Sequence, residues 1–164
     1  MKNKFKMSGF SSSEELVDEL SEKLASLLKD AIETRGRACM AVSGGSTPKK
    51  LFEKLSTFDL DWAKVTITLV DERWVDVNSS QSNEFLVKES LLQNQAQNAK
   101  FISLKNEMIM GEEALLITRN RLKSVDKLDV VVLGMGGDAH TASFFPNMEE
   151  LEDVLNAKES CCSS

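Results

Sequence analysis

No stretch of this sequence stays apolar long enough to cross a bilayer, and the N-terminal MKNKFKMSGFSSS carries lysines without the apolar centre of a secretory signal. The chain therefore reads as cytosolic, with no membrane partner. Positive charge is not in surplus either. A formal charge of −6 at pH 7 gives no basic field to draw nucleic acid, so any anionic ligand must be held by local groups. Cysteine is sparse: Cys39 stands in an apolar run, and Cys161 and Cys162 are adjacent near the C-terminus. That spacing is neither a disulfide framework nor a zinc site, and no role is assigned to the thiols. Two prolines, no internal repeat and no linker-like block point to one globular domain over residues 1–164, with 41% hydrophobic residues to build its core.

What is present alternates between helical and strand patterns. SSSEELVDELSEKLASLLKDAIETRG opens with a capping box, Ser12 with Glu15, and puts Leu16, Leu20, Leu24, Leu27 and Ala31 on one helical face before stopping near Gly36. RACMAVS, VTITLV and DVVVLG are short, unbroken apolar runs of the kind buried on both faces of a parallel sheet, and KFISL is a fourth candidate. Helix patterns fall at 48–56, 80–93, 112–124 and, more weakly, 148–157. The alternation predicts an α/β fold with a largely parallel sheet covered on both sides.

Three strand exits carry the chemistry. After the first run comes SGGSTP, where Gly44 and Gly45 allow backbone conformations closed to other residues, Thr47 can cap a helix and Pro48 suits its first turn. Such a corner aims free N–H groups and a helix dipole at one spot, beside the hydroxyls of Ser43, Ser46 and Thr47, which suits a phosphate. The same residues also make an ordinary turn and cap, and the spacing matches neither a Walker loop nor a dinucleotide fingerprint. After VTITLV comes DERWV, in which Arg73 could pair with a phosphate and Asp71 or Glu72 could orient a hydroxyl or a base; a solvated turn would read the same way. After DVVVLG comes MGGDAHTASFFP, with the only histidine of the chain, His140, two residues past Asp138. Its ordinary pKa near neutrality makes it the natural proton acceptor in a cleft, although a lone histidine is also a common structural residue. Ligands of open parallel sheets bind beyond the carboxyl ends of the strands, where these three segments would converge.

SGGSTP, VDERWV, QSNEFLVKESLL and LGMGGDAHTASFFP, in this order, resemble the successive signature segments of the 6-phosphogluconolactonase family, which is grouped with the glucosamine-6-phosphate deaminases. The resemblance runs from about residue 10 to about residue 155. It implies a Rossmann-like three-layer α/β/α sandwich and hydrolysis of 6-phosphoglucono-1,5-lactone to 6-phosphogluconate in the pentose phosphate pathway, with no metal or organic cofactor. It further implies His140 as general base, Asp138 as the group that orients it, Gly44, Gly45, Ser46, Thr47 and Arg73 around the 6-phosphate, and Asp71 and Asn83 near the sugar hydroxyls. Backbone N–H groups of the Gly134 to Gly137 loop would suit the oxyanion.

Two departures from the family pattern stand out. The family reads Asp-Gly-His where this chain has Asp138-Ala139-His140, so a positive φ at Ala139 would carry strain. The family also continues through further strands and helices beyond LEDVLNAKES, which makes a C-terminally incomplete sandwich the expectation and an open apolar edge its consequence. Two alternatives follow. One is an aminosugar-phosphate deaminase or isomerase, disfavoured because residues 141 to 147, TASFFPN, hold no carboxylate where that group has a glutamate. The other is a phosphosugar-binding module of low catalytic power.

Overall fold

A computed structural model describes residues 5–106, 111–125 and 127–162. Helix α1 (Ser13–Arg35) begins at Ser12, whose hydroxyl accepts from the Glu15 N–H at 3.1 Å, and ends at Gly36 with φ of 75°. The reciprocal half of the capping box is displaced by one residue: the Glu15 carboxylate reaches the Ser11 N–H at 2.7 Å rather than that of Ser12. The buried stripe comprises Leu24, Ala25, Leu28 and Ala31, so Leu28 takes the inward place expected of Leu27, which is 36% exposed. The cause is rotational: a stripe centred between Leu24 and Leu28 turns residue 27 outward.

The sheet has four strands, β1 (Ala38–Val42), β2 (Val65–Leu69), β3 (Lys100–Ile102) and β4 (Val130–Val132), all parallel, in the order β3-β2-β1-β4. The helices α2 (Ser46–Leu55), α3 (Asn83–Ser90), α4 (Glu112–Leu122) and the short α5 (Leu151–Leu155) lie between and after the strands. These agree with the sequence patterns to within a few residues, except that the 80–93 pattern is shortened at both ends to α3. The sheet is α/β and Rossmann-like, as expected.

Strand alternation explains why its two faces differ. Met40 and Val42 of β1, Val65, Ile67 and Leu69 of β2 and Val130 of β4 enter one core with Leu24, Leu28, Leu51, Phe52, Leu55 and Val87 from α1, α2 and α3. The opposite face presents Ala41, Thr68 and Val131 to a cavity of about 760 Å³ whose far wall is Ala114, Leu115, Thr118 and Leu122 of α4. The covering of that face is thin, and Val131 stays 48% exposed. Expectation and structure part here: the unbroken run DVVVLG is buried on one face only.

The start of β4 is held by a buried carboxylate. Asp129 Oδ2 accepts from the Cys39 N–H at 2.9 Å, Asp129 Oδ1 accepts from the Arg35 guanidinium, and the Asp129 N–H donates to the Cys39 carbonyl at 2.8 Å. One residue thus ties β4 to β1 and to the C-terminal turn of α1. Replacing Asp129 with Ala strands a buried N–H and an ion-pair partner, and should lower unfolding stability by about 2 kcal/mol in a urea titration. A change within experimental error would show that the strand pairing does not need this carboxylate.

Candidate active site

The order β3-β2-β1-β4 means that the chain moves outward through β1, β2 and β3 and then crosses back to place β4 on the other side of β1. The exits of β1 and β4 therefore lie at the strand-order reversal, the place where open parallel sheets bind ligands beyond the carboxyl ends of their strands. The Ser43 N–H donates to the Val132 carbonyl at 3.0 Å, so both loops start at one level. The Ser43 hydroxyl is buried without a partner, and nothing in the structure explains it.

On the β1 side, the helix cap is Gly45, not Thr47. Gly45 has φ of 124° and ψ of 168°, a backbone state open to glycine alone, and Ser46, Thr47 and Pro48 are the first three helical residues of α2. The shift has a consequence for binding. Pro48 has no N–H, the first backbone bond of the helix is Lys49 N–H to Gly45 C=O at 3.3 Å, and no side chain caps this end. The exposed N–H groups of the first turn are left pointing outward with the dipole. Gly44 is required by close approach, because a Cβ there would stand 1.9 Å from Asn83 Oδ1.

On the β2 side, the three charged residues of DERWV have separate fates. The Glu72 carboxylate accepts from Ser82 Oγ, the Asn83 N–H and the Glu84 N–H at 2.8 to 2.9 Å, closing the start of α3. It is therefore a cap. Spacing along the chain could not reveal this, since the carboxylate reaches back from ten residues before the helix. Asp71 is 9% exposed; its carbonyl accepts from Asn83 Nδ2 at 2.9 Å, and its Oδ2 accepts from Ser143 Oγ at 3.0 Å. Arg73 Nε lies 3.8 Å from the same oxygen and Nη1 donates to the Gln81 carbonyl at 3.0 Å, while the side chain remains 49% exposed.

On the β4 side, residues 136–140 form a closed loop, with the Gly136 N–H donating to the His140 carbonyl at 2.8 Å and the Ala139 N–H to the Gly136 carbonyl at 3.0 Å. His140 Nδ1 is paired with Asp138 Oδ1, and the His140 N–H donates to the same oxygen at 3.3 Å. With Nδ1 as the donor, Nε2 is the nitrogen left to accept a proton. The imidazole lies over the Gly136 backbone, where a Cβ would come within 2.2 Å of it, and against the Phe145 ring at 4.6 Å between centroids. Ala139 adopts φ of 68°, the condition under which its replacement of the family's glycine carries strain, and Ala142 follows with φ of 52°.

The structure joins four of the nine sequence-derived residues in one contact path, Gly44 against Asn83, Asn83 on Asp71, and Asp71 with Arg73, and Asp71 also meets Ser143, three residues past His140; the His140 and Asp138 pair stands outside this path. The Gly134 backbone runs beside Gly44, whose carbonyl oxygen would lie 4.0 Å from a Cβ at position 134. Ser46 and Thr47 sit at the rim. The 760 Å³ cavity is separate from this path except at Asp71, Arg73 and Ser143, and neither His140 nor residues 44–47 line it. Among the described residues no group of three His, Cys, Asp or Glu side chains could hold a metal ion. Ser143 is the site residue that sequence reasoning missed, because its partner is 72 positions away and serine in a loop carries no signal of its own.

A parallel sheet with a glycine-cornered helix start after β1 and a carboxylate-held imidazole in the loop after β4, on either side of the point where strand order reverses, defines a Rossmann-like α/β protein. Residues 11–163 match the model of the family described as glucosamine-6-phosphate isomerases/6-phosphogluconolactonase, and the chain belongs to that family. A 6-phosphogluconolactonase of Rhizobium meliloti is 48% identical over 142 residues, covering 86% of this chain and 61% of the relative; one of Pseudomonas putida is 42% identical, covering 84% and 57%. The crystal structure of a 6-phosphogluconolactonase from Shewanella baltica superposes with a TM-score of 0.92 at 46% identity, over 98% of this chain and 70% of that one. A monomeric glucosamine-6-phosphate deaminase shares the fold, with a TM-score of 0.71 at 17% identity. The chain spans about three fifths of the length of the curated relatives it matches.

Two expectations follow from the imidazole loop. The hydrogen bonds from the His140 side chain and then its backbone N–H hold the Asp138 carboxyl below its ordinary value. A lowered folded-state pKa means that this contribution is fully present above the usual aspartate range and is lost as pH falls through the lowered value. A carbon-detected NMR titration should place the Asp138 midpoint below that of a free aspartate, and a midpoint at or above about 3.9 would contradict the pairing. Separately, Ala139→Gly relieves about 1 kcal/mol of left-handed strain, partly offset by the greater freedom of glycine in the unfolded chain. Chemical denaturation should show a gain between zero and about 1 kcal/mol for Gly, and a loss for the β-branched Val.

Proposed function

We propose that this chain carries out the hydrolysis of 6-phosphoglucono-1,5-lactone to 6-phosphogluconate, the reaction named for its relatives, as a cytoplasmic step of the pentose phosphate pathway. The observation that carries the reading is the His140 and Asp138 pair in the loop that follows β4, with Nδ1 engaged and Nε2 left to accept a proton. Support comes from the uncapped start of α2, which follows the neighbouring strand β1, and from the 40 to 48% identity to several 6-phosphogluconolactonases.

In this reading the phosphate is bound by the N–H groups and hydroxyls of Ser46 and Thr47, with Gly44 and Gly45 letting the backbone approach and Arg73 supplying charge. Asp71 and Asn83 stand behind them near the sugar hydroxyls. His140 Nε2 takes a proton from a water whose oxygen adds to C1, and the carbonyl becomes a tetrahedral oxyanion. Collapse of that intermediate breaks the bond from C1 to the ring oxygen, and the imidazolium returns its proton to the departing oxygen. Asp138 keeps the reactive tautomer and stabilises the transient imidazolium, and N–H groups of the Gly134 to Gly137 loop face the oxyanion. The deaminase alternative lacks its acid here, since TASFFPN contains no carboxylate.

The test is a proton-release assay on freshly prepared lactone, read against spontaneous ring opening. The chain should exceed the spontaneous rate, and His140→Ala should reduce the catalysed part by about 100-fold or more while 6-phosphogluconate still binds. Equal rates for the two proteins would remove His140 from the chemistry. Binding of 6-phosphogluconate with no rate above background would instead identify a phosphosugar-binding module.

A further inference from the structure

The loop that carries the imidazole is internally strained and weakly fastened. Ala139 and Ala142 both occupy the left-handed region, at φ of 68° and 52°, and L-residues persist there only when surrounding structure holds them. Among the described residues, the hydrogen bonds of 136–147 stay within residues 136–148, as from Gly136 to His140, Ala139 to Gly136, Phe144 to Thr141 and Met148 to Phe145, with one exception. That exception is Ser143 Oγ, which donates to Asp71 Oδ2 at 3.0 Å. Asp71 is a rigid anchor: it is 9% exposed, follows directly from β2, and holds Asn83, which in turn sits on Gly44.

We infer that Ser143 is a positioning residue: its hydrogen bond to Asp71 fixes the strained imidazole loop to the β2 exit and thereby sets the separation of His140 from the Gly44 to Thr47 corner. This inference rests on the lactonase reading for its kinetic consequence, but not for its structural one. The pair joins the loop that follows β4 to the exit of β2, on the far side of β1. A hydroxyl is suited to the task, since it can donate to a carboxylate that already faces Arg73 at 3.8 Å without adding charge. When the bond is removed, the loop keeps its internal hydrogen bonds but loses its reference to the sheet, and the imidazole samples a wider range of positions.

Because His140 is the only histidine, its imidazole gives one set of NMR resonances, which report loop order without any assumption about activity. In Ser143→Ala these resonances should broaden or move toward those of a free imidazole, with the remaining spectrum unchanged, and Ser143→Thr, which keeps the hydroxyl, should restore them. The lactonase assay on the same variants should show kcat down by about tenfold in Ala with KM within about twofold, and recovery in Thr. Sharp, unshifted His140 resonances in a folded Ser143→Ala protein would overturn the proposal, as would a loss that Thr fails to restore. Should Ser143→Ala not fold, Asp71→Asn, which weakens the same acceptor, decides the matter by the same resonance: movement supports the fastening and none overturns it. Absence of lactonase activity in every protein, with the resonance changes intact, would overturn the lactonase reading and leave the fastening standing.

Discussion

The pairing of β1 with β4 is the constraint on which the site depends. Val42 lies opposite Val132, and the Ser43 N–H continues the ladder to the Val132 carbonyl, so the glycine corner and the imidazole loop leave the sheet from neighbouring points. Parallel strands make this possible, because only then do two exits face the same way. Asp129 fixes the other end of the same pairing. A slip of one residue in β4 would send Val130 and Val132 out of the core and carry Gly134 away from Gly44.

An acidic chain proposed to take an anionic ligand must turn its nearby carboxylates away from it. The net charge is −6, and two carboxylates stand at the β2 exit within the candidate site. Both are turned inward: Glu72 is satisfied by the start of α3, and Asp71 by Ser143, with Arg73 close by. Hydrogen bonding to backbone and hydroxyl donors spreads their charge into the fold. Asp138, 59% exposed, is the carboxylate that stays at the surface, paired with His140. Among the helix starts, α1 and α3 are capped by Ser12 and Ser82, whereas α2 and α4 begin at Gly45 and Gly111 without a side-chain acceptor.

Much of this was legible in the sequence because the signals were local. Unbroken apolar runs marked the strands, SGGSTP marked a strand-to-helix corner, and the two-residue offset from Asp138 to His140 allows the side chain of one to meet the ring of the other. The cost of a positive φ at Ala139 was also readable, from a family pattern with glycine in its place, although the φ itself was not. The illegible parts were long-range or depended on fine rotation. The cap fell on Gly45 because a φ of 124° is a property of the folded corner, not of any residue preference that distinguishes it from Thr47. Leu28 replaced Leu27 because neighbouring leucines fit the same pattern until a core selects one. Ser143 and Glu72 act through partners that only the tertiary fold brings near.

Strand β4 bears neighbours unequally: among the described residues it pairs with β1 alone, and Val131, Leu133 and Met135 along and beyond it are 48%, 53% and 78% exposed. The strand that delivers the imidazole loop is thus also an unsealed seam, with amide groups and aliphatic side chains open to templated growth by a fourth-to-fifth strand contact. Blunting that seam with charge would alter the very residues that lead into Gly134 and the His140 turn. The openness of the edge and the placement of the imidazole are consequently written into the same few residues of this chain, and neither can be tuned there without touching the other.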